Sequence, residues 1–302
     1  MTAAPDPGLT PARARLCVAA AAVLWSLSGA FKSVLTHPTP LGLHEPPLDA
    51  AQIAFFRVLF AGVVLTPTLR RADLSFRPAM VGMVLTFAAM NALFIRALTL
   101  GTAANAIFLQ YTAPLWVYLA GIWWLSERPD RRSTVAVVFG MLGVAVILSG
   151  GWQGERLDVI GLALGSGVAY AGVLIWLRLL RGESSRWLTV LNHLGSAVVL
   201  LPDAARFGMP TGGQLAWLFL FGSVQMGLPY WLMARGLRSI SPSEAAMLSL
   251  LEPILNPLWA YLVSPAEELP GPLTWIGGAF ILAGIAYRYW PQSIGKDGAS
   301  PR

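Results

Sequence analysis

Ten apolar segments, each between 16 and 23 residues long, constrain the fold of this chain more than any other feature. A bilayer is spanned by roughly 20 residues of α-helix, and helix is favoured because lipid offers no hydrogen-bond partners to exposed backbone groups. The segments are residues 16–35, 50–69, 79–99, 102–124, 133–150, 157–179, 187–202, 214–236, 242–263 and 271–290. They predict an all-α polytopic membrane protein with ten transmembrane helices.

The composition agrees with a surface that faces lipid. Of the 302 residues, 56% are hydrophobic and only 12% are charged, whereas a soluble domain is about a quarter charged. The net charge of +6 comes from residues in short gaps between apolar runs, so we expect no nucleic-acid partner. Cys17 is the only cysteine, which excludes a disulfide framework and a cysteine-rich metal site. We expect no metal and no cofactor.

The distribution of lysine and arginine predicts the orientation, because cytoplasmic loops are enriched in both. Sixteen of the 21 fall on one side of the predicted topology and four on the other, and Arg57 lies within a segment. This places both termini in the cytoplasm, with the chain in the plasma (inner) membrane. Residues 1–15 and 291–302 are predicted cytoplasmic tails, the latter disordered. The first apolar run is longer than a typical signal-peptide core, so we expect it to remain as helix 1.

An internal repeat relates the two halves of the chain. Each predicted half, 16–150 and 157–290, contains five helices, so the second half enters the membrane from the opposite face. Inverted repeats of this kind are a transporter architecture. The matching stretches are 96–98 with 235–237 and 109–114 with 248–253, at an offset of 139, and 127–129 with 268–270, at an offset of 141. At the second offset, Phe139 and Gly143 match Phe280 and Gly284.

These stretches also carry a family resemblance. Ala97-Leu98, then the mid-helix Pro114, then Glu-x-Pro at 127–129 and a glycine-rich helix resemble the EamA-type repeat of the drug/metabolite transporter superfamily. The resemblance covers essentially the whole chain and is weaker in helices 1, 2, 6 and 7. It implies ten helices around a central cavity and, commonly, export of amino acids, metabolites or toxic compounds. In length and general character the chain is most similar to the YddG-type aromatic amino-acid exporters.

Ionisable groups inside predicted spans are the first candidates for a binding site, since they are costly in a membrane. Trp25, Ser28 and Lys32 share one face of helix 1, although Lys32 is near enough to the helix end to snorkel. Arg57 lies about two turns inside helix 2. Its guanidinium suits a substrate carboxylate, and equally a structural partner such as Glu252.

Glu252 is the only carboxylate near the middle of a predicted span, and Asn256 is one turn away on the same face. Pro253 and Pro257 weaken the backbone hydrogen bonding of that helix, and freed carbonyls near a binding site are a known transporter device. Glu252 could instead serve assembly by pairing with an arginine. His193 is also a candidate cavity residue, and proton coupling through Glu252 or His193 is a further hypothesis.

Four polar or aromatic residues at the repeat interface complete the candidate set. A single one of them is explained by an interhelical hydrogen bond, but the set favours a cavity with few polar contacts. The repeat mates Met90 and Pro229 are candidate bends, and Pro114 is a candidate hinge with Pro253 and Pro257. The additional cavity residues are Asn91, Tyr111, Gln225 and Tyr230.

Other classes of protein fit the sequence less well. The chain has only three histidines, no H-E-x-x-H, G-x-S-x-G or Walker A motif and no intramembrane aspartate pair, so we do not expect an enzyme. No rings of carbonyls or charges typical of a channel filter are visible. A phosphorylated-sugar or nucleotide-sugar exchanger should need several cavity cations, and only Lys32 and Arg57 are placed for that role.

The favoured function is therefore secondary transport or export of a small organic metabolite, with aromatic or other apolar amino acids as the best match. A drug or other metabolite efflux carrier is the alternative.

Overall fold

The computed structural model describes residues 9–125, 128–150, 156–237, 239–240 and 242–290, which contain helices and short connections and no strand. The predicted repeat residue Glu127, the C-terminal tail and most of the N-terminal tail lie outside these ranges. The helices of the first half are α1 Pro11–Ser26, α2 Ser28–Thr36, α3 Ala50–Leu65, α4 Ala79–Leu100, α5 Ala103–Gln110, α6 Ala113–Leu125 and α7 Arg131–Gly150.

The helices of the second half are α8 Leu157–Leu179, α9 Ser185–Ala204, α10 Gly212–Leu220, α11 Leu228–Gly236, α12 Pro242–Ser249, α13 Leu251–Val263 and α14 Pro272–Tyr289. Each of the ten predicted segments therefore coincides with one helix or with consecutive helices. The start of the first differs: α1 begins at Pro11, because the Thr10 side chain caps it by accepting from Arg13 N at 3.5 Å. Most of the predicted tail ahead of residue 16 that the structure describes is thus helical.

Eight helical stretches in the described part of the chain are long and apolar enough to cross a membrane. They are residues 11–36, 50–68, 79–100, 103–123, 131–149, 157–179, 212–236 and 244–263. The two predicted spans outside this set are α9 and α14. The α9 helix buries polar side chains, among them Asn192, His193 and Ser196, and α14 is only 18 residues long and contains Arg288 in its last turn.

Four of the long segments are interrupted near their middle. The α5–α6 pair breaks at residues 111–112 and the α12–α13 pair at Leu250, which are equivalent positions at the offset of 139. In both pairs a proline follows within three residues, Pro114 and Pro253. Proline removes an N–H group and clashes with the carbonyl four residues earlier, so it explains the break. The other interruptions are at Leu27, between α1 and α2, and at a π-helix, Phe221–Gly227, between α10 and α11.

The packing pairs helices from opposite halves of the chain. The α4 helix packs on α8, α1 on α11, α3 on α9, and α7 on α14. At the last crossing an added Cβ at Gly277 would lie 2.5 Å from the Gly143 carbonyl oxygen, and one at Gly284 would lie 2.9 Å from that of Ala136. Rising residue numbers on one helix meet falling numbers on the other, so α7 and α14 run antiparallel in close contact.

Candidate functional site

Arg57 lies in α3 at the centre of the protein and is 6% exposed. Its Nε donates to Gln225 Oε1 at 3.1 Å, and its Nη1 donates to Asn91 Oδ1 at 3.4 Å. The guanidinium carbon is 5.2 Å from the ring centre of Phe221 and 5.8 Å from that of Phe94. Neutral amides and aromatic faces therefore hold this cation, which keeps N–H donors that these contacts do not use.

Gln225 reaches Arg57 from the π-helix between α10 and α11. Its Nε2 donates to the carbonyl oxygen of Trp25 at 2.8 Å. A π-helical turn inside an α-helix is rare and frequently occurs at a functional site, and Pro229, two residues beyond the turn, cannot donate to the regular ladder. The irregular backbone thus links the arginine to the first helix of the chain.

Aromatic rings extend the cluster toward the ends of α3 and α9. Tyr230 lies edge-on to Trp25, with ring centres 5.2 Å apart, and edge-on to His193, with centres 5.0 Å apart. His193 also contacts Phe87 at 5.0 Å. The Nδ1 atom of His193 is 2.7 Å from the Thr189 carbonyl oxygen, whereas its buried Nε2 has no hydrogen-bond partner among the residues that the structure describes.

Tyr111 and Glu252 form a second part of the site, at the two proline-associated breaks. The Tyr111 hydroxyl is 2.8 Å from Glu252 Oε2 and 3.0 Å from the carbonyl oxygen of Ser249. Ser249 is four residues before Pro253, so the proline leaves this carbonyl without its helical partner. The expected freed carbonyl is present and contacts a side chain of the opposite half of the chain.

Arg57 and Glu252 are close enough to interact electrostatically, but they do not form an ion pair. Tyr170, which is not among the predicted site residues, lies near enough to both Glu252 and Tyr230 to interact electrostatically with them. Its signal was a tyrosine at the centre of α8, and only the fold brings it to the cluster. Tyr111, Tyr170 and Glu252 are deep within the protein, yet each keeps part of its surface uncovered.

Three other candidates lie in a separate cluster between α2 and α13. Asn256 Nδ2 donates to Ser28 Oγ at 2.7 Å, and an added Cβ at Gly29 would lie 2.5 Å from Asn256 Oδ1. This is a tight helix contact. Lys32 is fully buried and forms an ion pair with Glu268, which is 1% exposed. Of the two alternatives left open for Lys32, snorkelling is wrong, because Glu268 in the loop after α13 pairs with its ammonium group in a buried position.

Glu268 joins three segments of the protein, although in the sequence it stands out only as part of the repeat match between 127–129 and 268–270. Besides Lys32, it accepts from Ser33 Oγ at 3.0 Å and from the backbone N–H of Ala103 at 2.8 Å. The N–H of Ala103 belongs to the first residue of α5, where a carboxylate is favoured by the helix dipole. Beyond α2, burial and then the nearby Lys32 cation lower the pKa of His37, against the opposing effect of Glu267 and Glu268.

The candidate hinge residues differ in their backbone surroundings. Pro114 and Pro253 follow the breaks in their segments, and Pro229 follows the π-helix. Pro257 lies inside α13. The α4 helix, by contrast, is continuous through Met90, so of this pair of repeat mates only Pro229 adjoins an irregular turn. Among the described residues, no three histidine, cysteine or acidic side chains come together as a metal site.

Comparison with known proteins identifies the family of the chain. The EamA-like transporter family matches residues 13–149 and again residues 158–289. An uncharacterized transporter of Archaeoglobus fulgidus is 28% identical over 240 residues, covering 78% of this chain and 86% of the relative. An S-adenosylmethionine uptake transporter of Rickettsia felis is 24% identical over 245 residues, covering 78% and 81%. A riboflavin transporter of Rhizobium johnstonii is 27% identical over 279 residues, covering 86% and 88%.

A solved crystal structure shares the fold. It superimposes with a TM-score of 0.64 at 17% sequence identity, over 92% of this chain and 98% of the other. The two family matches together include nearly all of the helical residues described above. The chain is therefore an integral membrane protein that belongs to the EamA-like transporter family and transports a small molecule.

Proposed function

We propose that the protein is a secondary transporter that works by alternating access between two inverted five-helix repeats, residues 16–150 and 157–290. In this proposal all ten long segments cross the inner membrane, α9 and α14 included, and both termini are cytoplasmic. The two family matches, 13–149 and 158–289, agree with these boundaries. The 16-to-4 division of lysine and arginine supports the orientation.

The contacts between the halves support the inversion. A pseudo-two-fold axis exchanges each residue with its repeat mate, the equivalent residue of the other half. If residue A contacts the mate of residue B, then residue B must contact the mate of residue A. At the offset of 141, Gly143 is the mate of Gly284 and Ala136 is the mate of Gly277. The close approaches are Gly143 with Gly277 and Ala136 with Gly284, as the rule requires.

The same rule fits the residues nearest the proposed axis. A residue on the axis should touch its own mate, and the rings of Phe139 and Phe280 are 6.0 Å apart. The repeat relation also converts the contact between α4 and α8 into the contact between α11 and α1, and both contacts are present. Two similar packings of such halves would open the centre alternately to the two sides of the membrane.

The substrate that the central residues favour is an α-amino acid with an aromatic or other apolar side chain. The observation that carries this proposal is that Arg57 and Glu252 lie near enough to interact electrostatically, yet each is hydrogen-bonded to neutral groups instead of to the other. A zwitterion would satisfy both charges, with its carboxylate on the guanidinium and its ammonium on the glutamate. Tyr111 and Tyr170 keep uncovered surface deep within the protein, as the walls of a cavity for the side chain would.

S-adenosylmethionine is a second candidate, because it contains the same α-amino acid group and because a relative is named for its uptake. Riboflavin, named for another relative, lacks that group. A phosphorylated-sugar exchanger is less well supported, since Glu268 already neutralises Lys32 and Arg57 alone remains for a phosphate. Efflux of a drug lacking both charges would leave Arg57 and Glu252 unused.

The test is uptake of labelled tryptophan, phenylalanine, threonine, S-adenosylmethionine and riboflavin into proteoliposomes. We expect saturable uptake and counterflow that favour tryptophan and phenylalanine; rapid, non-saturating flux would indicate a channel. Tryptamine, which lacks the carboxylate, should compete poorly with tryptophan. Removing a hydrogen bond to a charged group costs about 1.5–3 kcal/mol, so Arg57→Gln should weaken tryptophan binding by roughly 10- to 100-fold.

The same substitution should leave tryptamine binding nearly unchanged, which separates carboxylate recognition from a folding defect. Arg96→Gln is the matched control, because Arg96 forms a surface ion pair with Asp203 at 2.8 Å, away from the central cluster. If Arg57→Gln weakens both ligands equally, the assigned role of Arg57 is wrong. If none of the amino acids nor S-adenosylmethionine is transported, the amino-acid proposal is refuted.

Proton coupling through Glu252 or His193 belongs to the same proposal. Both are buried near the cluster, and either could exchange a proton when the cavity changes sides. A pH gradient should drive tryptophan uptake in the wild type and lose its effect in Glu252→Gln or in His193→Gln. A wild-type response to the gradient in both variants would refute coupling through these residues.

A further inference from the structure

A cavity outside the central cluster opens at the ends of α3, α9 and α11 that carry most of the arginines. Its volume is about 460 Å³. Arg70 contributes from the loop after α3, Arg186 from the first turn of α9, and Arg235 from the last turn of α11. Three separate elements thus each place a guanidinium at one cavity.

The three arginines have little acidic compensation. Arg186 Nη1 is 3.8 Å from Asp73 Oδ2, a long ion pair, and no carboxylate lies within ion-pair distance of Arg70 or Arg235 in the described part of the chain. Arg235 instead stacks over Trp231, with its guanidinium carbon 4.7 Å from the ring centre. The cavity therefore has a net positive charge.

Asp73 is itself held by other groups. It accepts from the backbone N–H of Arg70 at 2.8 Å and from the Ser184 hydroxyl at 2.8 Å. These two hydrogen bonds lower the pKa of Asp73, so it is ionised at neutral pH. Within the described part of the chain, Asp73 is the one carboxylate at ion-pair distance from any of the three arginines, and it reaches only Arg186, so donors remain for an anion of more than one charge.

The rest of the lining is suited to an amphipathic ligand. Leu65, Val190 and Ala234 give the cavity an apolar part, and the side chain of Thr189 adds a hydroxyl. Trp231 is 40% exposed and lies beside the arginines, as aromatic residues do at the boundary between lipid headgroups and acyl chains. Basic pockets between membrane helices at this level suit phosphorylated headgroups.

We propose that this cavity binds the phosphate group of an amphipathic ligand, with Arg70, Arg186 and Arg235 as its donors. A membrane phospholipid and a soluble phosphate ester present the same group, and the experiment distinguishes them. The site is separate from the amino-acid recognition proposed for Arg57 and Glu252, although Tyr230 lines the cavity and also contacts the central aromatic rings.

The test uses the full-length protein in detergent. Phosphatidylglycerol and zwitterionic phosphatidylcholine are compared by native mass spectrometry and by their effect on Tm, and glycerol 3-phosphate and inorganic phosphate serve as soluble probes. We expect phosphatidylglycerol to be retained and to raise Tm more than phosphatidylcholine. Replacing one arginine by glutamine should weaken this binding by about five- to tenfold.

Arg181→Gln is the matched control, because Arg181 is an exposed arginine in the turn before α9 and does not line the cavity. If an arginine-to-glutamine variant fails to fold, Arg235→Lys keeps the charge and should lose only part of the affinity. Arginine-dependent binding of the soluble phosphates without selectivity for phosphatidylglycerol assigns the site to a soluble ester. The proposal is overturned if the cavity variants and the Arg181→Gln control change ligand binding equally, or if neither the phospholipids nor the soluble phosphates bind.

Discussion

Replacing Glu268 by glutamine would leave the Lys32 ammonium group buried without a counter-charge. Lys32 is 0% exposed and Glu268 is 1% exposed, so water cannot take over the lost interaction. Glutamine has one oxygen in place of two: that oxygen can accept from the N–H of Ala103 while the amide nitrogen donates to the hydroxyl of Ser33, so both neutral contacts can be kept while the charge is removed. Breaking one partner of a buried ion pair costs about 3–5 kcal/mol, which corresponds to a fall in Tm on the order of 10 °C.

The assay is a double-mutant cycle on thermal unfolding of the purified protein in detergent. Lys32→Met should also destabilise the protein, because it leaves the carboxylate of Glu268 buried without a cation. The double variant Lys32→Met/Glu268→Gln removes both charges and keeps the neutral hydrogen bonds. We expect it to be more stable than either single variant, as buried ion pairs replaced by neutral groups often are.

Additive effects of the two substitutions, or a loss below about 1 kcal/mol in each single variant, would refute this reasoning, because a coupled buried pair cannot behave as independent sites.

Three other substitutions test the packing of α7 on α14 and the loop after α2. Gly277→Leu forces a side chain into the backbone of α7 and should cost about 1–3 kcal/mol of stability. Gly161→Ala is the control, because its Cβ meets nothing within 4 Å, and it should cost nothing in the same unfolding assay. Equal losses of stability in the two variants would contradict the close contact between α7 and α14. In the folded protein the pKa of His37 is lowered from its usual 6.5. Between the folded-state pKa and the unfolded-state pKa, the unfolded chain therefore binds more protons than the folded protein. The free energy of unfolding should fall as the pH drops from about 6.5 through the folded-state pKa. His37→Gln should flatten the part of the Tm profile that falls in this pH window, and an unchanged profile would show that His37 is not the source.

Much of the fold could be predicted because the signal is local. Helices occur at all ten predicted positions, and eight helical stretches in the described part of the chain have the length and composition of a spanning helix. The break before Pro253 could also be predicted from the sequence, because proline deprives the carbonyl four residues earlier of its helical hydrogen bond. The start of α1 was missed because the cap at Thr10 lies ahead of the apolar run.

The site was less predictable, because its members come from distant parts of the chain. Arg57, Gln225 and Asn91 were each recognised as costly polar groups in apolar helices, and the structure joins them by hydrogen bonds. The partner of Lys32 was not recognised, since Glu268 is separated from it by 236 positions and lies in a loop. Tyr170 was overlooked for a similar reason.

The sequence alone determined where the helical segments lie, the weak point before Pro253 and the 139- and 141-residue offsets between the halves, because each depends on neighbouring residues or on self-similarity. Only the tertiary structure decided which buried charge is neutralised: Lys32 contacts Glu268, whereas Arg57 and Glu252 stay unpaired. The physical reason is that the energy of a charge inside the protein depends on the groups packed within a few ångströms of it, and the packing of helices distant in sequence sets those neighbours.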